Sequence, residues 1–389
     1  MACSPQLRAT RLGDNVDDWN SHNSPSRVAR NWGEQAMLIQ AQHYAAPSYP
    51  YTSYDVLYRT PRQHVGGCLW HSFDHQRGYH PDPFYGGVMD VFRQPKYSYY
   101  MFQAQRSPEK QDRPFETGPM VYIAHEMTPF SPKDVTVYSN CDEVRLTYNK
   151  GGKTWTYTKP AIGEGMPSPV ITFKDVYNFM VDKEMSRKKK QDEVFLRAEG
   201  IMNGKVVATH EVHPARRPAQ LLLWADNEGT GLKADGSDFV TVVAAIADKD
   251  GNVKRLNNYY VKFHVEGEGC ILGGADVLAN PAPVKWGTAP VLIQSTLKPG
   301  KIKVTASVLF EGSQMPASAV LELESCPAEH PMIYAEKEAA LIPMNNDSSF
   351  GKAAAKSASK LEQERLLKEQ NARKLKEVEQ QQTDFGEKK

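Results

Sequence analysis

From about Met120 to Glu324 apolar residues alternate with polar ones in short runs broken by turn residues, and that period of two restricts most of the chain to antiparallel sheet. The first runs are Val135–Ser139 and Val144–Tyr148, and Asn149-Lys150-Gly151-Gly152 supplies the turn into Thr154–Thr158. Val194–Ile201 and Lys205–His210 flank Asn203-Gly204, the strongest short hairpin signal in the chain. A second series follows His213-Pro214: Gln220–Ala225, Phe239–Asp248 with its Asp250-Gly251 turn, Tyr259–Glu266, Pro290–Thr296, Lys301–Phe310 and Ala319–Glu324. Strands at intervals of roughly ten residues, with Gly and Pro between them, predict two sandwiches of about 100 residues each.

That pattern leaves both ends of the 389-residue chain unassigned. Near the N-terminus Gly33–Ala45 has helical spacing with Pro47 as a stop, Val65–Trp70 reads as a short buried strand, and Pro95–Arg106 reads as a helix with Pro at its first position. Helix, strand and helix is an α/β order, but one strand cannot close a sheet. From about Gly351 the chain is rich in Ala, Lys, Glu and Gln. Leu361, Leu366, Leu367, Leu375 and Val378 give a narrow stripe, which predicts a solvated charged helix or tail rather than a coiled coil.

Composition excludes several function classes. With 47 Lys+Arg against 46 Asp+Glu the formal net charge is +1, so there is no whole-chain attraction for nucleic acid or anionic membrane. The basic run Arg187–Lys190 is surrounded by Glu184, Asp192 and Glu193 and reads as a solvated insertion between strands. No apolar window is long enough to span a membrane, and the first fifteen residues lack the apolar core of a secretory signal. The five cysteines are far apart and form no CxxC, which argues against zinc ribbons and disulfide scaffolds. No GxSxG elbow, GxGxxG or P-loop spacing occurs; the Gly-Gly pairs read as turns and close backbone approach.

The chemically densest stretch is the loop from Trp70 to Asp82, which holds Trp70, His71, Phe73, Asp74, His75, Arg77, Tyr79 and His80. Aromatic faces suit the C–H faces of a sugar ring, and Asp, His and Arg tips suit its hydroxyls. Metal binding by His71, His75 and His80 is the second reading, though these residues lack the spacing of helical zinc ligands. An unliganded polar loop is the third.

The run GGCLWHSFDHQRGYHPDPFYGGVMDVFRQPKYSYYMFQAQR, from Gly66 to Arg106, resembles the end of the catalytic barrel in glycoside hydrolase family two, most closely β-galactosidase-like members from Bacteroidetes. In that family a Gly-Gly-x-x-Trp strand carries a tryptophan lining the sugar pocket, matched here by Trp70, and a Pro-Lys-x-x-Tyr-Tyr helix closes the barrel, matched by Pro95–Tyr100. VTVYSNCDEVRLTYN resembles the family's next immunoglobulin-like domain, and the segment from Ala234 to Gly274 resembles a further C-terminal sandwich.

The resemblance implies a C-terminal fragment of a (β/α)8 barrel over 1–112, immunoglobulin-like β-sandwiches over 113–212 and 213–327, and a linker and charged C-terminal helix over 328–389. It implies a retaining hydrolase of terminal β-galactosides or related glycosides in the intact enzyme, with no cofactor and no metal. Such enzymes need two carboxylates roughly 5–5.5 Å apart. The family's nucleophile glutamate falls on Arg11 in the run Arg11-Leu12-Gly13-Asp14, and nothing upstream of residue 1 supplies the acid/base, so this chain is expected to be inactive. Glu34, on a predicted amphipathic helix facing solvent or the outer side of the strands, is not expected to substitute. Asp14, Trp70, His71, Asp74 and His75 are the expected substrate-binding residues, because barrel sites gather at the C-terminal ends of strands. The partners expected are a carbohydrate and the missing N-terminal part of the enzyme. Intact family members of this kind are periplasmic or secreted. A non-catalytic carbohydrate-binding or structural β-sandwich protein is the alternative.

Overall fold

The computed structural model describes residues 27–45, 54–59, 69, 71–76, 83–112, 117–160, 165–227, 229–309 and 315–328. Arg11, Asp14, the proposed strand at 65–70 apart from Leu69, and the charged C-terminal segment lie outside the described residues. By contacts the chain divides into two units, Met1–Arg217 with Asp248–Leu256, and Pro218–Ala247 with Asn257–Lys389.

Among the described residues of the first unit three α-helices precede the strands: α1 (Glu34–Ala45), α2 (Tyr54–Arg59) and α3 (Tyr97–Gln103). Helix α1 is not amphipathic as expected. Glu34, Ala36, Met37, Gln40, Ala41, His43 and Tyr44 are all buried, so its polar residues are enclosed with its apolar ones. Glu34 is fully buried rather than turned to solvent. Helix α3 starts two residues later than Pro95 because Lys96 is extended (φ −94°, ψ 172°) and donates its N–H to the Val88 carbonyl at 2.9 Å. Between residues 71 and 96 the described backbone makes only isolated bridges, Phe73 with Met89, His75 with Phe84 and Met89 with Pro95.

The strands of this unit are β1 (Val121–Ala124), β2 (Val135–Ser139), β3 (Glu143–Tyr148), β4 (Thr154–Thr158), β5 (Ile171–Phe173), β6 (Leu196–Met202) and β7 (Lys205–Val212), with helix α4 (Phe179–Arg187) between β5 and β6. They form a three-stranded sheet in the order β1-β2-β5 and a four-stranded sheet in the order β4-β3-β6-β7, all antiparallel. Alternation sets the core: Val135, Val137, Val144, Leu146, Leu196 and Ala198 point inward and are fully or almost fully buried. The basic run expected to be a solvated insertion closes α4, where Arg187 through Lys190 are exposed. Helix α4 is capped by Asn178, whose side chain accepts from the Met180 N–H at 3.0 Å.

The second unit holds β8 (Gln220–Asp226), β9 (Leu232–Ala234), β10 (Phe239–Ala247), β11 (Tyr260–Gly267), β12 (Gly269–Ile271), β13 (Ala282–Pro283), β14 (Thr288–Ser295), β15 (Gly300–Val308) and β16 (Ala319–Pro327). The two sheets run β12-β14-β10-β8 and β13-β11-β15-β16-β9. Every pairing is antiparallel except β16 with β9. Val242, Ala244, Ile246, Val261, Ile293, Ile302 and Val304 fill the space between the sheets with no exposed surface. Both units are therefore dominated by sheet, as the period of two required. The short strands β1, β5, β9, β12 and β13 escape that criterion because two to four residues are too few to show a period.

Candidate functional site

The loop singled out by its chemistry is organised around a buried ion pair. Asp74 Oδ1 accepts from Lys96 Nζ at 2.7 Å and from the Gly87 N–H at 3.0 Å, and Lys96 Nζ also donates to the Tyr85 carbonyl at 3.1 Å. Both side chains are enclosed, Lys96 completely and Asp74 at 3% exposure. Burial pushes the Asp74 carboxyl up to about 7 in spite of the neighbouring ammonium, and burial pushes the Lys96 ammonium down. Asp74 is thus committed to the interior, and it acts on its surroundings by fixing the loop. Gly87 must approach closely for this to happen: a Cβ there would stand 2.2 Å from the Phe73 carbonyl carbon and 2.4 Å from the Asp74 nitrogen.

On the outer side of that anchor His71 and His75 come together, with ring centroids 4.3 Å apart. The Phe84 ring packs against both, at 4.7 Å from His71 and 5.5 Å from His75, and the Arg27 guanidinium lies 4.7 Å over its face. Desolvation first, then the neighbouring His75 and Arg27, holds the His71 imidazole below its ordinary pKa, so it is neutral at pH 7. Two imidazoles, an aromatic ring and a guanidinium form a partly exposed polar-aromatic surface of the kind that suits a sugar ring. Of the five expected substrate-binding residues, His71 and His75 are brought together, Asp74 is buried against Lys96 and Gly87, and Asp14 and Trp70 are outside the described residues.

A second cluster went unread in the sequence. Glu126 Oε2 accepts from Arg255 Nε at 2.8 Å, its Oε1 accepts from the Tyr97 hydroxyl at 3.0 Å, and its backbone N–H donates to Glu34 Oε1 at 2.9 Å. Ser131 donates its hydroxyl to the other Glu34 oxygen at 2.5 Å. Burial, and then the charge of Glu126, push the Glu34 carboxyl up to about 8, so it is largely protonated at pH 7. Arg30, buried nearby, is pulled down to about 10 by the same desolvation and by Arg255, while Glu126 holds Arg255 charged. Two adjacent carboxyls, with the acidity of Glu34 perturbed, resemble a catalytic pair. Yet Glu34 has no exposed surface, and every polar atom of the pair is held by protein groups. Among the described residues the pair is therefore a structural network.

An open cavity of about 480 Å³ in this unit lies among Leu38, Asp55, Arg59, Asp134, Met166 and Lys174. Its charges satisfy each other: Arg59 pairs with Asp55 at 2.6 Å, and Lys174 with Asp134 at 2.7 Å. Among the described residues no group of three or more His, Cys, Asp or Glu is arranged to hold a metal, and no helix is long and apolar enough to cross a membrane.

Residues 223–309, from β8 through β15, match the model of the glycoside hydrolase family 2 C-terminal domain 5. A β-galactosidase of Thermoanaerobacter pseudethanolicus is 29% identical over 290 residues, covering 68% of this chain and 36% of that protein. A β-galactosidase of Bacteroides ovatus is 28% identical over 260 residues, 62% of this chain and 27% of that protein. The chain therefore spans about a third or less of the length of these relatives. A solved β-glucuronidase from glycoside hydrolase family 2 has the same fold over 80% of this chain and 29% of its own, with a TM-score of 0.53 and 21% identity. The chain is therefore similar, over about two thirds of its length, to part of these β-galactosidases, and its residues 223–309 match a glycoside hydrolase family 2 C-terminal domain.

Proposed function

We propose that the chain is the C-terminal part of a retaining β-galactosidase-like enzyme and does not by itself turn over substrate. The observation that carries the parent activity is the match to two β-galactosidases over 260 and 290 residues. In this reading residues 1–112 are the end of a (β/α)8 barrel, a charged helix ends the chain, and the remaining barrel comes from further polypeptide. His71, His75 and Phe84 face the sugar, while Asp74 and Lys96 hold that surface in place, and Trp70 and Asp14 are further sugar-binding residues by the family resemblance. The intact enzyme works in the periplasm or outside the cell.

Inactivity follows from the carboxylates. Arg11 stands at the nucleophile position, and a guanidinium can neither attack an anomeric carbon nor stabilise positive charge there. Glu34 and Glu126 are held internally. The test is hydrolysis of an aryl β-galactoside by the chain alone and after addition of a polypeptide supplying the rest of the barrel. No turnover alone is expected. Turnover by the chain alone that Glu34→Gln abolishes would show that it has its own nucleophile.

The surface formed by His71, His75, Phe84 and Arg27 favours a second reading, a non-catalytic carbohydrate-binding β-sandwich protein. Titration with galactosides separates the two. Measurable binding by the chain alone, lost in His75→Ala, favours the binding module.

A further inference from the structure

Among the described residues strand β4 is the end strand of its sheet, paired with β3 on one side only. Its sequence, Thr154-Trp155-Thr156-Tyr157-Thr158, reads almost the same in both directions about Thr156. The backbone parity matches that symmetry. Tyr148 donates its N–H to the Lys153 carbonyl, and Lys159 donates to the Asp142 carbonyl, so residues 153, 155, 157 and 159 turn their polar groups toward β3. Thr154, Thr156 and Thr158 therefore direct their N–H and C=O groups at the open edge. All three are exposed, and their side chains share the solvent face with Arg145 and Glu143 of β3. The strand carries no charge and no proline within its span, both of which commonly protect an edge.

We propose that this edge pairs with β4 of a second copy of the chain, in antiparallel register about a two-fold axis through Thr156. Thr156 then faces the partner's Thr156, and Thr154 faces the partner's Thr158. All three are hydrogen-bonded positions, so every outward group of the three threonines gains a partner. Trp155 falls opposite the partner's Tyr157 at the closer, non-hydrogen-bonded positions, giving an aromatic cross-strand pair on each side of the axis. No other register makes β4 self-complementary in this way, and an isologous contact closes at two copies.

The flanking lysines limit its strength. Lys153 comes opposite the partner's Lys159, although Lys153 lies back over its own Trp155 ring at 4.9 Å. A five-residue ladder also buries less than the roughly 1,000 Å² expected of a stable interface. The dimer is therefore weak and concentration-dependent, and it tightens with ionic strength as the lysine repulsion is screened.

The experiment uses the full chain with Cys3, Cys68, Cys270 and Cys326 replaced by Ser. In a hydrogen-bonded antiparallel pair the Cα atoms are about 5.5 Å apart, inside the roughly 4.4–6.8 Å span of a disulfide. Thr156→Cys is expected to form a covalent dimer on mild oxidation, linked through position 156 in both copies. Thr154→Cys alone is expected to stay monomeric, and Thr154→Cys with Thr158→Cys to dimerise. Sedimentation equilibrium of the unmodified chain is expected to show association that Thr156→Pro weakens about tenfold or more, since it removes the central outward N–H without touching a bond to β3. Lys159→Glu is expected to tighten it by facing Lys153 of the other copy. Equal cross-linking at positions 154 and 156 overturns the register. A chain that remains monomeric throughout, or a dimer unmoved by Thr156→Pro and Lys159→Glu, overturns the proposal.

Discussion

Replacing Glu34 by Gln should stabilise the first unit at alkaline pH. In the native state Glu34 is fully buried, with one oxygen on the Glu126 N–H and the other on the Ser131 hydroxyl. Its carboxyl is raised from the ordinary 4.5 to about 8, chiefly by desolvation and then by Glu126. Between these two values the folded protein keeps a proton that the unfolded chain has lost. The stability contributed by that proton is fully present below pH 4.5 and is lost as pH rises through 8. Each pH unit in that window costs about 1.4 kcal/mol, so the whole interval is worth about 5 kcal/mol as an order of magnitude. The Glu34→Gln substitution tests this directly, because the amide keeps an acceptor for the Glu126 N–H and offers a donor to the Ser131 oxygen without titrating. Urea unfolding at several values between pH 5 and 9 checks this, with the α1 peptide followed by hydrogen–deuterium exchange. Near pH 5 the two proteins should differ by about 1 kcal/mol or less, within the range of one altered hydrogen bond. At pH 8 and above Glu34→Gln should be the more stable. If it is instead less stable there, with the same pH slope as the wild type, Glu34 is ionised and neutralised by Arg30 and Arg255, and the reasoning fails.

Lys96→Met should cost about 3–5 kcal/mol, because it leaves Asp74 enclosed without its ammonium, and Asp74→Leu added to it should recover most of the loss; a urea double-mutant cycle reads the coupling, and additive losses would mean that the pair contributes no interaction. Gly87→Ala should cost about 1–3 kcal/mol in the same assay, since a Cβ meets the Phe73 and Asp74 backbone, which has no side-chain freedom to yield; an unchanged unfolding midpoint would show that this approach relaxes freely.

Much of the candidate site was legible as composition and little of it as arrangement. The density of His, aromatic and Asp residues after Trp70 pointed to the loop, and the structure joins His71 to His75. The same pattern offered Asp74 as a residue facing the ligand, whereas it faces inward to Lys96. A signal was present in Pro95-Lys96, a lysine at the entrance to a helix whose first turn is buried, but it read only as a helix start. Glu34 shows the same limit, because its helix has no polar stripe to place it, and only the segments that enclose α1 decide that a carboxyl there is buried.

What the sequence determined by itself was the alternation that makes β2, β3, β6, β10 and β15 strands, and the turns between them, such as Asn203-Gly204. Those are local properties: a strand turns successive side chains to opposite faces whatever it later pairs with. Tertiary structure alone decided which strands are neighbours, which edge is left open at β4, and which charges meet in the interior. Arg255 reaches Glu126 across 129 residues, and Lys96 reaches Asp74 across 22. No periodicity records such pairings, because the free energy of a buried charge depends on the groups that other segments bring beside it.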